Sequence, residues 1–404
     1  MAEAVRALPQ EIQDGIEMFI WNVKTLEGIK RKLELGVRVI PAIALNNEVV
    51  YESTIPPQDE LIAAILKCKD NFQWGDAGGS PVYLQEVTLT GFKSYATETV
   101  VNFKSGIGVI IGNNGVGKTN VLDAIAWAVG ESDLQRLRCQ QYGDLFFSGS
   151  QEYPPSETAR VALTIKLGED KKAPQVKLTR QARRHGTEEF FCDGVELTAA
   201  GYYQKLTELG LENVTKTVIR QGQVESFLQL GPADRLRHVK ALFNEKMDGD
   251  LIGRINAHFK NFLSILVPEG GGELFLVDTS GEPGLAVEVV FPGKGRKNPL
   301  LLSGGEKTIC SLAANLALFE ELQSPFYLLD EVEPALDWIY HHHMQQLFKK
   351  LARNRQLIMI THLRSTIELA DTLHGIRARR DGTSYAKFYF DMDERILRAY
   401  QCCC

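Results

Sequence analysis

Gly112-Asn113-Asn114-Gly115-Val116-Gly117-Lys118-Thr119 follows the apolar run Gly108–Ile111 and leads into a helical pattern, Lys118–Val129. A buried strand, a glycine loop and a helix start, in that order, make a cradle for phosphate. The glycines let successive backbone N–H groups turn toward one centre, and the first helical turn adds its positive end. Lys118 is then placed for the β- and γ-phosphates, and the Thr119 hydroxyl for Mg²⁺. ATP and Mg²⁺ are the expected cofactors.

Working outward, Phe326-Tyr327-Leu328-Leu329 is an apolar strand ending in Asp330-Glu331. An acid at a strand's carboxyl end can complete a Mg²⁺ shell, and the adjacent Glu can polarise the attacking water of an in-line phosphoryl transfer. A third stretch, Leu301-Leu302-Ser303-Gly304-Gly305-Glu306-Lys307, opens the helical run Thr308–Leu322. It is another anion-binding helix start. The P-loop already takes the γ-phosphate of its own nucleotide. Ser303, Gly304, Gly305 and Glu306 are therefore expected to serve the ATP of a second chain, so that ATP joins two molecules.

The chain has 404 residues, enough for two domains. Apolar residues at 44% and charged residues at 24% suit a well-cored globular protein. No run approaches the roughly 18 apolar residues of a membrane span, and Met1–Gln10 lacks the layout of a signal peptide. The expectation is a cytoplasmic protein with no membrane partner. Cys68, Cys139, Cys192, Cys310 and Cys402–Cys404 form no CxxC pair, which favours reduced thiols over a disulfide framework. His341-His342-His343 lies on a helical pattern, where consecutive side chains diverge by about 100° and cannot share one ion.

The net charge of −6 does not by itself call for nucleic acid. One segment differs: Lys171, Lys172, Lys177, Arg180, Arg183 and Arg184 occur without an intervening acid, on a hairpin strand carrying Val176 and Leu178. They are candidates for tracking DNA phosphates, against the alternative of a solvated basic hairpin.

Residues 1–67 read as a small α/β unit: helix Ala2–Asp14, strand Met18–Val23, helix Thr25–Leu35, strands Ala42–Leu45 and Glu48–Tyr51 turned by Asn46-Asn47, and helix Pro57–Lys67. The order is similar to the later part of a thioredoxin fold, with Pro41 where that family places a cis-proline. The family's first strand and CxxC have no counterpart, so the resemblance implies a redox-dead docking unit. An unrelated small α/β domain is the alternative. Residues 68–81 read as a linker, 82–392 as an α/β nucleotide-binding domain, and 393–404 as a tail. Within the large domain, strands are expected at Leu84–Thr90, Glu98–Phe103 and through 159–192, with helices over 200–210 and 232–266.

Residues 83–392 resemble the heads of structural maintenance of chromosomes (SMC) proteins, in the SMC/RecN/RecF branch of ABC ATPases. The carriers are Thr90–Tyr95, Gly112–Asn120, Asp123-Ala124-Ile125, Gly130-Glu131, Phe147–Ser150, Arg220–Gln223, Leu302–Lys307, Leu329–Asp337 and Ile360-Thr361-His362. The resemblance implies an α/β, P-loop ABC-type head of mixed sheet and flanking helices. It also implies residue roles. Gln221 would sense Mg²⁺ and the lytic water, and Glu331 would be the catalytic carboxylate with His362 in the switch position. Ser303 would face a partner's γ-phosphate, and Asp337 would sit at the dimer seam. Lys93, Ser94 and Arg138 would engage nucleotide. Mg²⁺ would fall to Thr119, Gln221 and Asp330. Homodimers or heterodimers of heads, DNA, an accessory protein, and a nucleoid-associated place in chromosome condensation, segregation or repair follow as family expectations.

The departures are local. Only residues 222–302 separate Gln221 from Ser303, where SMC chains insert long coiled coils and a hinge. Helical stubs at about 231–266, with Phe243, Ile252, Ile255, Phe259 and Phe262 as apolar positions, carry no sustained heptads. Glu333 stands where an Asp is usual. Two rivals remain: a RecF- or RecN-like repair ATPase, and a non-hydrolysing module that docks through its N-terminal unit.

Overall fold

The computed structural model describes residues 82–392 apart from 171, 245–249, 280, 294, 296–300 and 334–337. It also describes positions 24, 25, 29, 32, 40, 42–45, 48–53, 57, 58 and 60–62. Contacts divide the chain into two units, Met1–Gly79 and Ser80–Cys404. The expected helix Ala2–Asp14, strand Met18–Val23, Pro41 loop, linker, C-terminal tail, Asp337 and Lys171 lie outside the described residues.

In the first unit, β1 (Ala42–Leu45) and β2 (Glu48–Glu52) pair antiparallel, Ile43 opposite Tyr51. Ile43 and Leu61 are buried, and Leu61 N–H closes a helical turn onto Pro57 O at 3.0 Å.

The second unit runs β3 (Val82–Thr90), β4 (Thr99–Asn102), β5 (Ile107–Ile111), α1 (Lys118–Ala128), β6 (Thr158–Leu167), β7 (Gln175–Arg183), β8 (Glu188–Cys192), β9 (Val195–Leu197) and α2 (Ala199–Glu208). It continues through β10 (Val218–Ile219), α3 (Ser226–Gln229), α4 (Pro232–Leu242), α5 (Leu251–Leu266), β11 (Gly271–Thr279), β12 (Glu282–Val290) and α6 (Gly304–Leu322). It closes with β13 (Phe326–Asp330), α7 (Trp338–Leu351), β14 (Gln356–Ile360), α8 (Arg364–Ile367), β15 (Thr372–Ala378) and β16 (Ser384–Asp391).

Two six-stranded sheets result. One, in order β10-β13-β14-β5-β15-β16, is parallel except for β16. Its central strands β13 and β14 are buried at every position, which is why they read as continuous apolar runs rather than alternations. The other, β4-β3-β6-β7-β8-β9, is antiparallel. Helix α1 packs on β3, β6 and β7 of one sheet and on β13 of the other. It is buried almost all round, through Val121, Leu122, Ala124, Ile125, Ala126, Trp127 and Ala128. Buried Gln356 ties the sheets together: its Nε2 donates to Leu84 O and Lys104 O, both at 2.8 Å, and its Oε1 accepts from Leu84 N–H at 2.9 Å.

The expected helical run 232–266 is two helices, α4 and α5. Ile255, Phe259 and Phe262 of α5 are buried, and α5 packs on α6, α7 and β11. Strand β11, which the sequence reading did not assign, pairs with β12 as a hairpin against α4 and α5. An amphipathic helix docked in this way is one core element, not the start of a free coiled coil.

Candidate functional site

The P-loop begins where β5 ends. Gly117, at φ 95°, is the cap residue of α1, a left-handed conformation that a side chain would strain. A Cβ there would also lie 2.3 Å from Ser384 Oγ and 2.7 Å from Ser94 Oγ. Those hydroxyls form the floor of the loop. Ser384 Oγ donates to Val116 O at 2.8 Å and lies 2.6 Å from Ser94 Oγ, and Asn120 Nδ2 donates to Ser94 Oγ at 2.7 Å. Buried Tyr95 donates its hydroxyl to Gly117 O at 3.0 Å. Ser94 therefore supports the loop from beneath. Asn113, Asn114 and Gly115 form its exposed rim, while Val116 is buried.

Helix α1 is asymmetric in a useful way. Its C-terminal carbonyls are satisfied: Tyr202 Oη donates to Ala128 O at 2.8 Å, and Arg180 Nη1 to Trp127 O at 2.7 Å and Glu131 O at 3.1 Å. Its N-terminus carries no side-chain cap. Uncapped N–H groups and the positive end of the helix are left facing the loop, which favours an anion.

Four predicted residues converge from four separate segments. Lys118 Nζ donates to Gly112 O at 2.8 Å and Asn113 O at 3.0 Å, and lies 3.1 Å from His362 Nε2. His362 Nε2 is also 3.1 Å from Glu331 Oε1. That nitrogen accepts from Lys118 or donates to Glu331, one at a time, according to its tautomer. Gln221 Nε2 donates to Glu331 Oε2 at 2.6 Å. Burial pulls the Lys118 ammonium below the usual lysine range, and the nearby Glu331 and Asp330 oppose that shift.

Asp330 is the clearest pointer to a cation-binding position. It is buried, and among the described residues no hydrogen-bond partner of good geometry reaches either carboxylate oxygen. Burial raises its pKa to about 6, and the neighbouring Thr119 hydroxyl and Arg138 guanidinium offset only part of this. Two orphaned oxygens, a hydroxyl and the Gln221 amide are hard donors of the kind Mg²⁺ takes. Thr119, Asp330 and Gln221 thus fit that ion. Among the described residues no cluster of three His, Cys, Asp or Glu side chains forms a separate metal site, the histidine triplet included.

A second constellation sits behind the loop. Asp123, fully buried, receives Lys93 Nζ at 2.6 Å and Arg138 Nη2 at 2.6 Å on Oδ2, and Arg220 Nη1 on Oδ1. Arg138 also donates to Asn120 Oδ1 at 2.9 Å. Three cations on one carboxylate leave two surplus positive charges beside the loop, a field suited to a polyphosphate. Lys93, Arg138 and Glu331 all have left-handed φ values, 48°, 55° and 48°. Such conformations in bulky residues are strained and gather at functional sites.

Not every candidate stands where the pattern put it. Lys93 is turned inward onto Asp123 and Leu137 O, with its side chain 10% exposed, so it organises the site from behind. Ser303, Gly304 and Gly305 lie at the start of α6, and no hydrogen bond or ion pair among the described residues joins them to the P-loop. Glu306 is buried and accepts Ser303 N–H at 3.0 Å in a capping box, so it braces its own helix rather than facing another chain. Glu333 is buried, with Oε1 unpartnered, and burial raises its pKa.

The DNA candidates also need correction. On β7 the even positions Leu178, Arg180 and Ala182 point inward, because side chains alternate with period two. Arg180 is buried, paired with Glu188 Oε2 at 2.8 Å and stacked on Trp127. Arg184 donates to Ser156 O and Phe147 O and stacks on Phe146. Neither is available to phosphate. Arg183 is exposed but paired with Glu189 at 2.7 Å. Lys172 and Lys177 remain exposed. Asp123 and Arg220 were quoted in the sequence only as marks of resemblance; a carboxylate one helical turn beyond Thr119 was the signal that could have singled them out.

The family model described as "RecF/RecN/SMC N terminal domain" matches residues 83–385. Chromosome partition protein Smc of Mycolicibacterium paratuberculosis is 34% identical over 158 residues, 38% of this chain and 13% of that protein. This chain therefore matches a small part of that relative's length. A crystal structure of an SmcHead bound to the C-winged helix domain of ScpA superposes with a TM-score of 0.67 at 26% identity, covering 78% of this chain and 99% of that one. The SMC head domain from Thermotoga maritima gives 0.57 at 29% identity, over 75% and 98%.

Proposed function

Since this chain belongs to the RecF/RecN/SMC N-terminal domain family of ATPase-type heads, we propose that it binds and hydrolyses ATP between two heads. The observation that carries the reading is the meeting of Gln221, Glu331, His362 and Lys118 beside the orphaned carboxylate of Asp330.

In this reading Lys118 leaves the Gly112 and Asn113 carbonyls for the β- and γ-phosphates, and the uncapped start of α1 holds the same oxygens through N–H groups. Thr119, Asp330 and Gln221 hold Mg²⁺, which when bound neutralises phosphate charge. Glu331 accepts hydrogen bonding from the attacking water, and the Gln221 amide orients both. His362 restrains Glu331 from the far side. Ser303 and the N–H groups of Gly304 and Gly305 complete the γ-phosphate site of a second head, with Asp337 at the seam. A homodimer or a heterodimer would satisfy this arrangement.

Association with DNA, through Lys172 and Lys177 in this chain, and a role in chromosome segregation, condensation or repair extend the same reading. So does an accessory protein, since a related head was solved with the winged helix of ScpA. No described helix is long and apolar enough to cross a membrane.

The test is ATP turnover and sedimentation of wild type against Glu331→Gln. Turnover should fall by about 10²-fold or more, while an ATP-dependent dimer accumulates. Equal turnover in the two proteins would refute the assignment of Glu331. An ATP-inert monomer in both would favour the interaction-module reading.

A further inference from the structure

We propose that Asp123 is the positioning residue for Gln221, acting through Arg220. The proposal rests on the hydrolytic reading of the site and adds a residue to it.

The backbone holds Gln221 loosely. Strand β10 is two residues long and lies at the edge of the parallel sheet, with Val218 paired to Leu328 and Ile219 to Leu329. Beyond Ile219 the ladder stops. Exposed Gln221 and Gly222, at φ 74°, are spanned by a single turn bond from Gln223 N–H to Arg220 O at 2.9 Å, so the segment hangs on Arg220. Arg220, between the last paired residue and Gln221, is the anchor. Its guanidinium is buried and ends on Asp123 Oδ1.

The two oxygens of Asp123 divide the work. Oδ2 takes Lys93 and Arg138, whereas among the described residues Arg220 alone occupies Oδ1. Asp123 lies on α1 four residues after Thr119, on the same face of the helix. The helix that presents Lys118 and Thr119 therefore also sets the position of Arg220. A continuous line of contacts follows from Glu331 through Gln221, Arg220 and Asp123 and along α1 to Lys118, with His362 Nε2 joining either Glu331 or Lys118. Phosphate-binding and water-orienting groups thus share one rigid reference. Cutting the line at Arg220 leaves Lys93 and Arg138 on Asp123 beside the P-loop and frees Gln221 to wander. A displacement of about 1 Å at such a group is enough for roughly 10²-fold in rate.

The experiment uses the full chain, with variants Asp123→Asn and Arg220→Leu. Steady-state ATP turnover is measured beside the side-chain amide resonance of Gln221 in protein labelled with ¹⁵N-glutamine and assigned through Gln221→Glu. Both variants should lose about 10- to 100-fold in kcat, and Arg220→Leu should keep KM within about twofold of wild type. The Gln221 amide signal should shift and broaden in both. Arg220→Leu leaves Asp123 paired with Lys93 and Arg138, so it reports even if Asp123→Asn fails to fold. A Gln221 signal that coincides with wild type overturns the proposal. So does a kcat loss in Arg220→Leu matched by equal losses in nucleotide affinity and thermal midpoint, the mark of a merely structural pair. If wild type turns over no ATP, the hydrolytic reading fails on its own, and the amide signal alone decides whether Asp123 positions Gln221.

Discussion

The helix start at Lys118 is braced from several sides, by Tyr95, Ser94, Ser384 and the Asp123 cluster, whereas the start at Ser303 is held by its own first turn, through Glu306, and by Thr308 on Glu225. Both are glycine-rich and both offer N–H groups to an anion. One is embedded between two sheets, with its far end capped by Arg180 and Tyr202. The other stands exposed at Ser303 and Gly304, beside Leu301 at 74% exposure. Similar local chemistry is thus complete within the chain at one place and turned outward at the other. This difference in support is what an ATP-bridged pair of heads requires.

The comparison breaks most visibly at Ser303. Ser303→Arg should leave single-head ATP binding within about twofold and weaken the ATP-dependent dimer by at least about 10²-fold, read by sedimentation over a concentration series; a bulky cation in a desolvated contact is costly. Retained dimerisation would remove α6 from the interface. Gly117→Ala should act in the opposite way, lowering folding stability by about 2 kcal/mol and ATP affinity with it, because φ 95° and the Ser384 hydroxyl both resist a Cβ. Denaturant melts and nucleotide titration check this, and an unchanged midpoint would show that the loop can relax.

A pH series sharpens the same contrast. His374 on β15 pairs in register with Ile110 of β5, just before the P-loop, and stacks near Phe103 and Tyr389. Burial lowers its pKa to about 3, from an ordinary value near 6.5. The unfolded chain therefore takes up the proton first as pH falls. This contribution to stability is whole above about pH 6.5 and declines by up to about 1.4 kcal/mol per unit down to about pH 3. Urea melts should show that slope, and His374→Gln should flatten it. The smallest effect is expected at the exposed hairpin: Lys172→Ala with Lys177→Ala should reduce the salt dependence of DNA binding by a slope of about 1.8. An unchanged slope would clear the hairpin of any role.

How far the sequence could be read depended on the range of each signal. The P-loop, the Asp330-Glu331 strand end and the Ser303 helix start are contiguous patterns whose chemistry is local, and each lies on the element its pattern implied. The basic hairpin was misread in part because charge was counted without strand parity, which sends Arg180 and Lys177 to opposite faces. The helical run through 232–266 concealed the break between α4 and α5, and β11 went unassigned next to a glycine run that carries little pattern.

Spacing along a few consecutive residues was enough to read from the sequence the glycine loop, the acidic strand end, the second glycine-rich helix start and the α/β class. Only the tertiary structure decided that Asp123 gathers Lys93, Arg138 and Arg220, that Arg180 and Glu306 face inward, and that Gln221 reaches Glu331. Those contacts join residues tens to hundreds of positions apart. Their existence depends on how two sheets enclose one helix, which is a matter of packing rather than of periodicity.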